Sequence, residues 1–483
     1  MLIEHNSIEP DSEFEVDLCI IGAGACGITI ARTFDNLNLK VALLESGGFE
    51  YSEKNHALYS GEASGVSDDY LTRTRQRMFG GTTNHWGGLC RPFDEIDFEK
   101  RAWVPNSVAW PFTRSTLEPY YDKAADIVQL KRFFADGPAS RDLVDAQCQL
   151  SALLFRFSPP TRFGTEYRKE LIDSQNISVF LESNATELSL NEHRSAARVL
   201  NVMASDGGTF RIKAQNFVLA TGGLENPRFL LNSNAEISAG LGNHSDLVGR
   251  YFMSHAPSGG LGAVALAGPE TKTITDRLFN PRFSYIGIKA ETQRKLGLLN
   301  HGIALWRSRT EELPEDLKRF AKINERFSSF YGAGETSDAF HVVSVAEQSP
   351  NRDSRVSLLA EKDYTGMRKL RLDFKTNTID RQSVAQSFEF LAAELGRLGH
   401  GRVRFDFESA EALPFDPDDH HMGTTRMHED PKLGVVNEHC RVHGIRNLYV
   451  TGGSVFPSGG FANPTITMIA MALRLADHLK SLS

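Results

Sequence analysis

Apolar residues run almost unbroken from Val16 to Ile21 and again from Lys40 to Leu44, separated by a stretch whose apolar positions recur at helical spacing. Short apolar runs of this kind predict strands buried on both faces, the pattern of a parallel sheet. Between them lies Gly22-Ala23-Gly24-Ala25-Cys26-Gly27, and the second strand closes on Glu45. The order strand, glycine turn, helix, strand, acid predicts a dinucleotide site. Gly22 permits the turn, Gly24 lets the backbone approach a pyrophosphate, and Gly27 lets the helix pack on the strand. The helix start offers free N–H groups to phosphate, and Glu45 sits where a carboxylate can bind a ribose hydroxyl pair. An acid there disfavours a 2′-phosphate, so FAD or NAD fits better than NADP.

Two later segments repeat the pattern. Asn216 to Ala220 reads as a buried strand ending on Thr221-Gly222-Gly223, with a helix from about Asn226; it fits beside the first domain, or is a plain strand-to-helix turn. Asn447 to Val450 runs into Thr451-Gly452-Gly453, and a last helix spans Pro464 to about Leu482 with Asn463 in the N-cap place and Pro464 at N1. Ser115-Thr116-Leu117-Glu118 reads as a capping box opening a helix to about Val128. Ile177 to Leu190 alternates as strand pairs, and Ser46 to Thr74 reads as a polar loop over the nucleotide. Composition changes after Ser258. Strands are expected at Ser258–Ala267, Phe340–Glu347, Ser354–Leu359 and Leu370–Phe374, a charged helical stretch at Arg309–Phe330, and a helix at Asp380–Leu398. Together these predict a second domain with an open antiparallel sheet whose polar face is available for ligand.

Composition narrows the class. The 483 residues are 41% hydrophobic and 24% charged, ordinary globular values, with a formal net charge of −8 and no Lys/Arg run. A nucleic-acid partner is therefore not expected, and no apolar run reaches membrane-spanning length. Five scattered cysteines, with no pair at metal spacing, read as reduced buried thiols of a cytoplasmic protein, and no metal is expected.

The remaining chemistry lies in three segments. Phe79 to Gly88, FGGTTNHWGG, mixes glycines with a His, a Trp and small polar residues. It reads as backbone closely approaching a flat ligand, or as a rigid loop around a packed aromatic. The others are HHMGTTRM, His420 to Met427, and SVFPSGGFANPT, Ser454 to Thr465. With the Gly22 to Glu45 unit, these closely resemble the glucose-methanol-choline family of FAD-dependent alcohol oxidoreductases. The resemblance is strong at both ends, moderate over Asn216 to His255 and weak over Ser258 to Arg404.

It implies an α/β fold: a Rossmann-type FAD-binding domain from residues 1–115, 170–255 and 410–483, and an α+β substrate domain from 116–169 and 256–409. It implies oxidation of an alcohol to a carbonyl, with O2 or another electron acceptor. The family's H-x-x-G-T base falls on His420, with His421 as the rival one residue out of register, and the partner position falls on Asn463. Cofactor contacts are expected at Gly22, Gly24, Gly27, Glu45, Gly81, Thr82, Asn84, His85, Trp86, Gly87, Ala220, Gly222, Gly453, Pro464 and Thr465. His85 matches the place where pyranose oxidases attach flavin covalently. The His/Asn pair and the GGTTNHWGG loop resemble the pyranose oxidase and sugar dehydrogenase branch, which implies a sugar, glycoside or polyol hydroxyl as substrate. Oxidation of a non-sugar alcohol, an NAD-linked dehydrogenase and a flavin-binding protein without alcohol chemistry are the other readings.

Overall fold

The structure, a computed structural model, describes residues 1–130, 139–279, 283–307 and 338–482. The helical stretch expected at 309–330 lies outside the described residues. Strand Glu13–Ile21, helix Ala25–Thr33 and strand Val41–Leu44 follow one another as the hydrophobic pattern requires. Strand Glu13–Ile21 lies between Val41–Leu44 on one side and Thr209–Leu219 on the other, all parallel. Ile177–Phe180 and Leu2–Ile3 extend the first side, again parallel. On the far side, the end of Thr209–Leu219 pairs in parallel with Leu448–Val450, while its beginning pairs antiparallel with Ala197–Ala204, which continues to Ser183–Leu190. The strand ending on Ala220-Thr221-Gly222 thus belongs to the nucleotide-binding sheet. Among the two strands expected within Ile177 to Leu190, neither pairs with the other.

A second sheet of seven strands is antiparallel throughout, in the order Gly401–Phe405, Ala256–Leu266, Asp338–Ala346, His301–Arg307, Ser284–Ile288, Leu150–Leu154 and Ser140–Asp142. Its alternate side chains enter different cores, the consequence of the two-residue period of a strand. Ile303 and Leu305 join Phe388, Leu391 and Leu395 of helix Thr378–Arg397, whereas Ala304 between them joins the core of the nucleotide-binding layer. The sheet therefore separates two cores, and the expected open polar face is closed over its middle: every residue of Ser284–Ile288 is buried, while Trp306 and the edge strand Gly401–Phe405 keep exposed positions.

Three other expectations change. Arg355–Lys362 and Arg368–Asp373 do not join the large sheet; they form a separate three-stranded sheet with Gly61–Ser64, which lies within the segment expected to be a loop. The capping box at Ser115 to Glu118 is absent. Helix Glu118–Ile127 follows a tight 3-10 turn, Arg114–Leu117, and the Ser115 hydroxyl lies 2.7 Å from that of Thr113 instead. That helix packs on Thr465–Lys480, where Tyr121 and Thr467 hydroxyls meet at 3.1 Å, so residues 118–127 sit against the nucleotide-binding layer. All five cysteines are buried and unpaired. Among the described residues no helix is long and apolar enough to cross a membrane.

Candidate active site

The parallel strands end around a cavity of about 420 Å³, within the range of small-molecule sites. Its first wall is the glycine turn. Gly22 has φ +104°, the left-handed region, and a Cβ on Gly27 would lie 1.9 Å from the Gly22 carbonyl oxygen, so the helix could not close on the strand. A Cβ on Gly24 would meet nothing, because that position faces the cavity. Glu45 is buried beneath the turn, accepting from the Ala23 N–H at 3.0 Å and the Gly47 N–H at 2.9 Å. Burial raises its pKa, against the pull of those N–H groups and of Arg77.

The loop from Phe79 supplies the second wall through Gly81, Thr82, Thr83, His85, Trp86 and Gly87. Segment 158–165 pins it: Trp86 donates its indole N–H to the Thr161 carbonyl at 2.8 Å, and Arg162 donates to the Trp86 carbonyl at 2.8 Å. His85 is exposed on this wall, its pKa lowered by partial burial. Two of the expected cofactor residues do not line the cavity. Gly27 packs the helix as described. Asn84 turns inward, donating to the Phe79 carbonyl at 2.9 Å with its Oδ1 against Gly80 and Gly164. Ala220, Gly222, Gly453, Pro464 and Thr465 all line the cavity, together with Arg75, Arg77, Asn184, Glu225 and Met468, which sequence patterns did not single out.

The third wall holds the titratable groups. Segment 418–427 is strapped antiparallel to residues 249–255, with Met422 and Met253 exchanging backbone bonds at 2.9 and 3.0 Å. From the other side, Gly423 N–H donates to the Gly453 carbonyl at 3.1 Å, and the Thr424 hydroxyl donates to the Gly223 carbonyl at 2.6 Å. Asn226 joins these turns, donating to the Thr451 carbonyl at 3.0 Å and the Ser454 hydroxyl at 2.9 Å, while the Thr221 N–H and hydroxyl donate to its Oδ1 at 2.9 and 2.7 Å. Four bonds to one buried amide hold the ends of strands Thr209–Leu219 and Leu448–Val450 in fixed relation.

On this frame His420 Nε2 lies 3.2 Å from Asn463 Nδ2, and both residues line the cavity. Asn463 does not cap the last helix. That helix spans Thr465–Lys480 with Pro464 at its N-cap and no side-chain cap, which leaves the Asn463 amide directed at His420. On the opposite edge of the ring, His420 Nδ1 lies 2.6 Å from Asp418 Oδ2 and 3.0 Å from His255 Nδ1. Burial opposes charge on His420, but the Asp418 charge and hydrogen bond, with Asp419, outweigh it and raise the pKa. Burial would raise Asp418, yet His420, His255 and Ser254 hold it well below the usual carboxylate range. His421, the rival base, is turned toward Tyr70 and Phe252, and burial followed by Arg75 lowers its pKa to about 3. Asp418 and His255 are the groups that motif reading missed. Asp418 is visible only as a carboxylate two residues ahead of the base, and His255 arrives from 165 residues away. Gln348 is buried and accepts from the Ser254 N–H at 2.9 Å.

A Rossmann-type sheet ending on a glycine cradle, beside a His/Asn pair, defines a dinucleotide-dependent oxidoreductase. Residues 350–472 match the family model described as GMC oxidoreductase. The chain is 25% identical to 6'''-hydroxyparomomycin C oxidase of Streptomyces lividus, over 98% of this chain and 94% of that protein. It is 25% identical to paromamine 6'-oxidase of Streptomyces fradiae, over 95% of this chain and 90% of that one. Among solved structures, pyridoxine 4-oxidase from Mesorbium loti shares the fold with a TM-score of 0.60 at 18% identity, covering 96% of this chain and 99% of that one. Residues 350–472 therefore carry a GMC oxidoreductase family domain, and the whole chain is similar to oxidases and dehydrogenases. The family implies FAD, and the walls fit it: an open glycine cradle at a helix N-terminus, a carboxylate beneath, and buried Arg77 Nε and His421 Nε2 without partners in the protein.

Proposed function

We propose that this enzyme oxidises a hydroxyl of a sugar, glycoside or polyol to a carbonyl, with O2 or another electron acceptor completing the cycle. The observation that carries this reading is the convergence of His420 Nε2 and Asn463 Nδ2, 3.2 Å apart on the cavity wall. A hydroxyl set beside the pair on the cavity side can donate its proton to the imidazole and accept from the amide. A carbon gives up hydride only as its hydroxyl proton leaves, so a neutral imidazole is a suited base. His420 takes that proton at Nε2. Asn463 donates its amide N–H to the oxygen as negative charge develops, where a fixed donor is worth most. FAD, when bound, supplies the acceptor for the hydrogen leaving carbon. Pro464 and Thr465 bring the N-terminal end of the last helix to the same cavity, an end carrying about half a positive charge and favouring anionic groups beside it. The substrate class is supported by the names of the relatives, which include fructose dehydrogenase and C-glycoside 3-oxidase. Unpaired, buried cysteines support a reducing, cytoplasmic setting.

The test is a panel of sugars, glycosides and polyols mixed anaerobically with the yellow protein, followed by readmission of air. Bleaching by at least one member is expected, and recovery of colour in air marks O2 as an acceptor. A flavin left oxidised by every member rejects the reading.

We also propose His85 as the attachment point for flavin, because it lies exposed on the cavity wall in the Thr83-Asn84-His85-Trp86 setting. The bond would replace an imidazole N–H and a C–H of the flavin 8α-methyl, the two electrons leaving to O2 or another acceptor, so the denatured wild-type chain is then expected to weigh the polypeptide plus FAD less two hydrogens, and the His85→Ala chain to weigh the bare polypeptide. Acid release of all colour from the wild type, leaving the bare mass, ends this proposal without touching the alcohol chemistry.

A further inference from the structure

We infer that Asp418 and His255 are positioning residues that hold the proton of His420 on Nδ1, keeping Nε2 as the free acceptor facing Asn463 and the cavity. The inference rests on the reading of His420 as the base, but its geometry stands on hydrogen bonds alone. His255 Nε2 lies 3.1 Å from the Gly459 carbonyl oxygen. A carbonyl only accepts, so this nitrogen carries the proton, and a neutral ring then presents a lone pair at Nδ1. That lone pair faces His420 Nδ1 at 3.0 Å, and the acceptor-only Asp418 carboxylate faces the same atom at 2.6 Å. Two acceptors and no donor meet His420 Nδ1, so it donates. With the proton held there, the neutral ring has its lone pair at Nε2, where the Asn463 amide donates at 3.2 Å.

The carboxylate is itself fixed. Its Oδ1 accepts from the His420 N–H at 2.9 Å and from the Ser254 hydroxyl at 2.7 Å, and the Asp418 carbonyl accepts from the Tyr70 hydroxyl at 2.7 Å. This arrangement follows the logic of an acid–His pair in which the acid selects the tautomer and steadies the imidazolium that forms. Other charges facing the cluster leave that logic intact. Asp419 pairs with Arg73 at 3.2 Å, Glu347 is held by Arg101 behind Gly459, and Tyr70, Tyr285 and His421 are buried and neutral. Burial, then His420, lowers the His255 pKa to about 4, which keeps that ring neutral and its lone pair available. Ligand atoms of His255, Asp418 and His420 lie within 4.8 Å of one another, so a bound metal is the competing way to join them.

The experiment uses 15N-histidine-labelled holoprotein, with Asp418→Asn, Asp418→Glu and His420→Gln, the last to assign the resonance. In the wild type, His420 is expected to show protonated Nδ1 and unprotonated Nε2. In D418N the side-chain amide can donate to Nδ1, so an Nε2–H population is expected. Substrate-driven bleaching should then slow about 10- to 100-fold. The sign of the pH effect follows from the raised pKa of His420: the rate rises as His420 loses its proton, and without the carboxylate that limb moves to lower pH. D418E should restore part of both. A purely structural role for Asp418 would lower stability or flavin content without moving the tautomer or the limb. Protonated Nε2 in the wild type overturns the inference, as does an unchanged tautomer in D418N, or stoichiometric metal that is lost in D418N. The wild-type spectrum needs no variant to fold. Failure of every alcohol to bleach the wild type rejects the functional reading instead, and leaves the tautomer result to decide this one.

Discussion

Replacing His420 with alanine lowers the anaerobic rate of flavin bleaching by substrate at least about 100-fold, the contribution of a positioned general base, while the flavin stays bound. Cofactor retention is expected because the glycine turn, Glu45 and the Phe79 loop are built from other segments. The decisive comparison is His421→Ala. Both histidines line the cavity, but only His420 has a carboxylate on one ring edge and an amide on the other. His421, neutral down to about pH 3 and facing two aromatic rings, should cost much less when removed. Stopped-flow bleaching separates the two. Near-equal rates for His420→Ala and wild type refute the assignment, and a greater loss in His421→Ala shifts the motif by one residue. In the active wild type the rate should climb with pH through a pKa above the ordinary histidine value of 6.5, since the base must be unprotonated to act.

The largest stability effect is expected at Glu347. Glu347→Ala should cost about 3–5 kcal/mol, the penalty for stranding one member of a buried ion pair. The side chains of Arg101 and Glu347 are 1% and 0% exposed, and Arg101 donates through both terminal nitrogens, one at 2.7 Å. The Asn300 N–H donates to the same carboxylate at 3.0 Å. Removing Glu347 strands a guanidinium where neither water nor a second bidentate acceptor reaches it. Burial, then Glu347 and Asp94, raises the pKa of nearby Asp97 to about 8, so removing Glu347 leaves its burial as the main barrier to its taking over the lost charge. Denaturant unfolding followed by fluorescence measures the loss. A change below about 1 kcal/mol would show that Arg101 finds other partners. Glu347 also lies against Gly459, the residue whose carbonyl holds His255. Unfolding data should therefore be taken beside bleaching rates.

Local chemistry made the nucleotide unit readable. Gly22, Gly27 and Glu45 act within one strand–turn–helix–strand segment, so spacing alone carries their roles. Short motifs likewise led to His420 and Asn463, whose side chains meet at 3.2 Å on the cavity wall. What escaped was long-range. Periodicity identifies a strand but not its neighbour, which is why Arg355–Lys362 and Arg368–Asp373 were expected in the large sheet and instead pair with Gly61–Ser64. The Asn-Pro start of the last helix suggested a cap, yet a tertiary partner, His420, claims the amide. At Ser115 to Glu118 a motif of four residues lost to the tighter turn that lets Tyr121 reach Thr467. His255 could not be found from pattern at all, because its value lies in one carbonyl and one imidazole contributed by remote loops.

Strand Leu448–Val450 and helix Thr465–Lys480 come after every other part of the nucleotide-binding sheet in chain order. During synthesis the early strands emerge with one rim of their crevice unmade, and Asn226 still lacks the Thr451 and Ser454 atoms it will bind. Flavin capture is consequently expected only after the segment that also delivers Asn463 has emerged and folded onto the earlier strands. Chains truncated before Leu448 are expected to be colourless as well as inert.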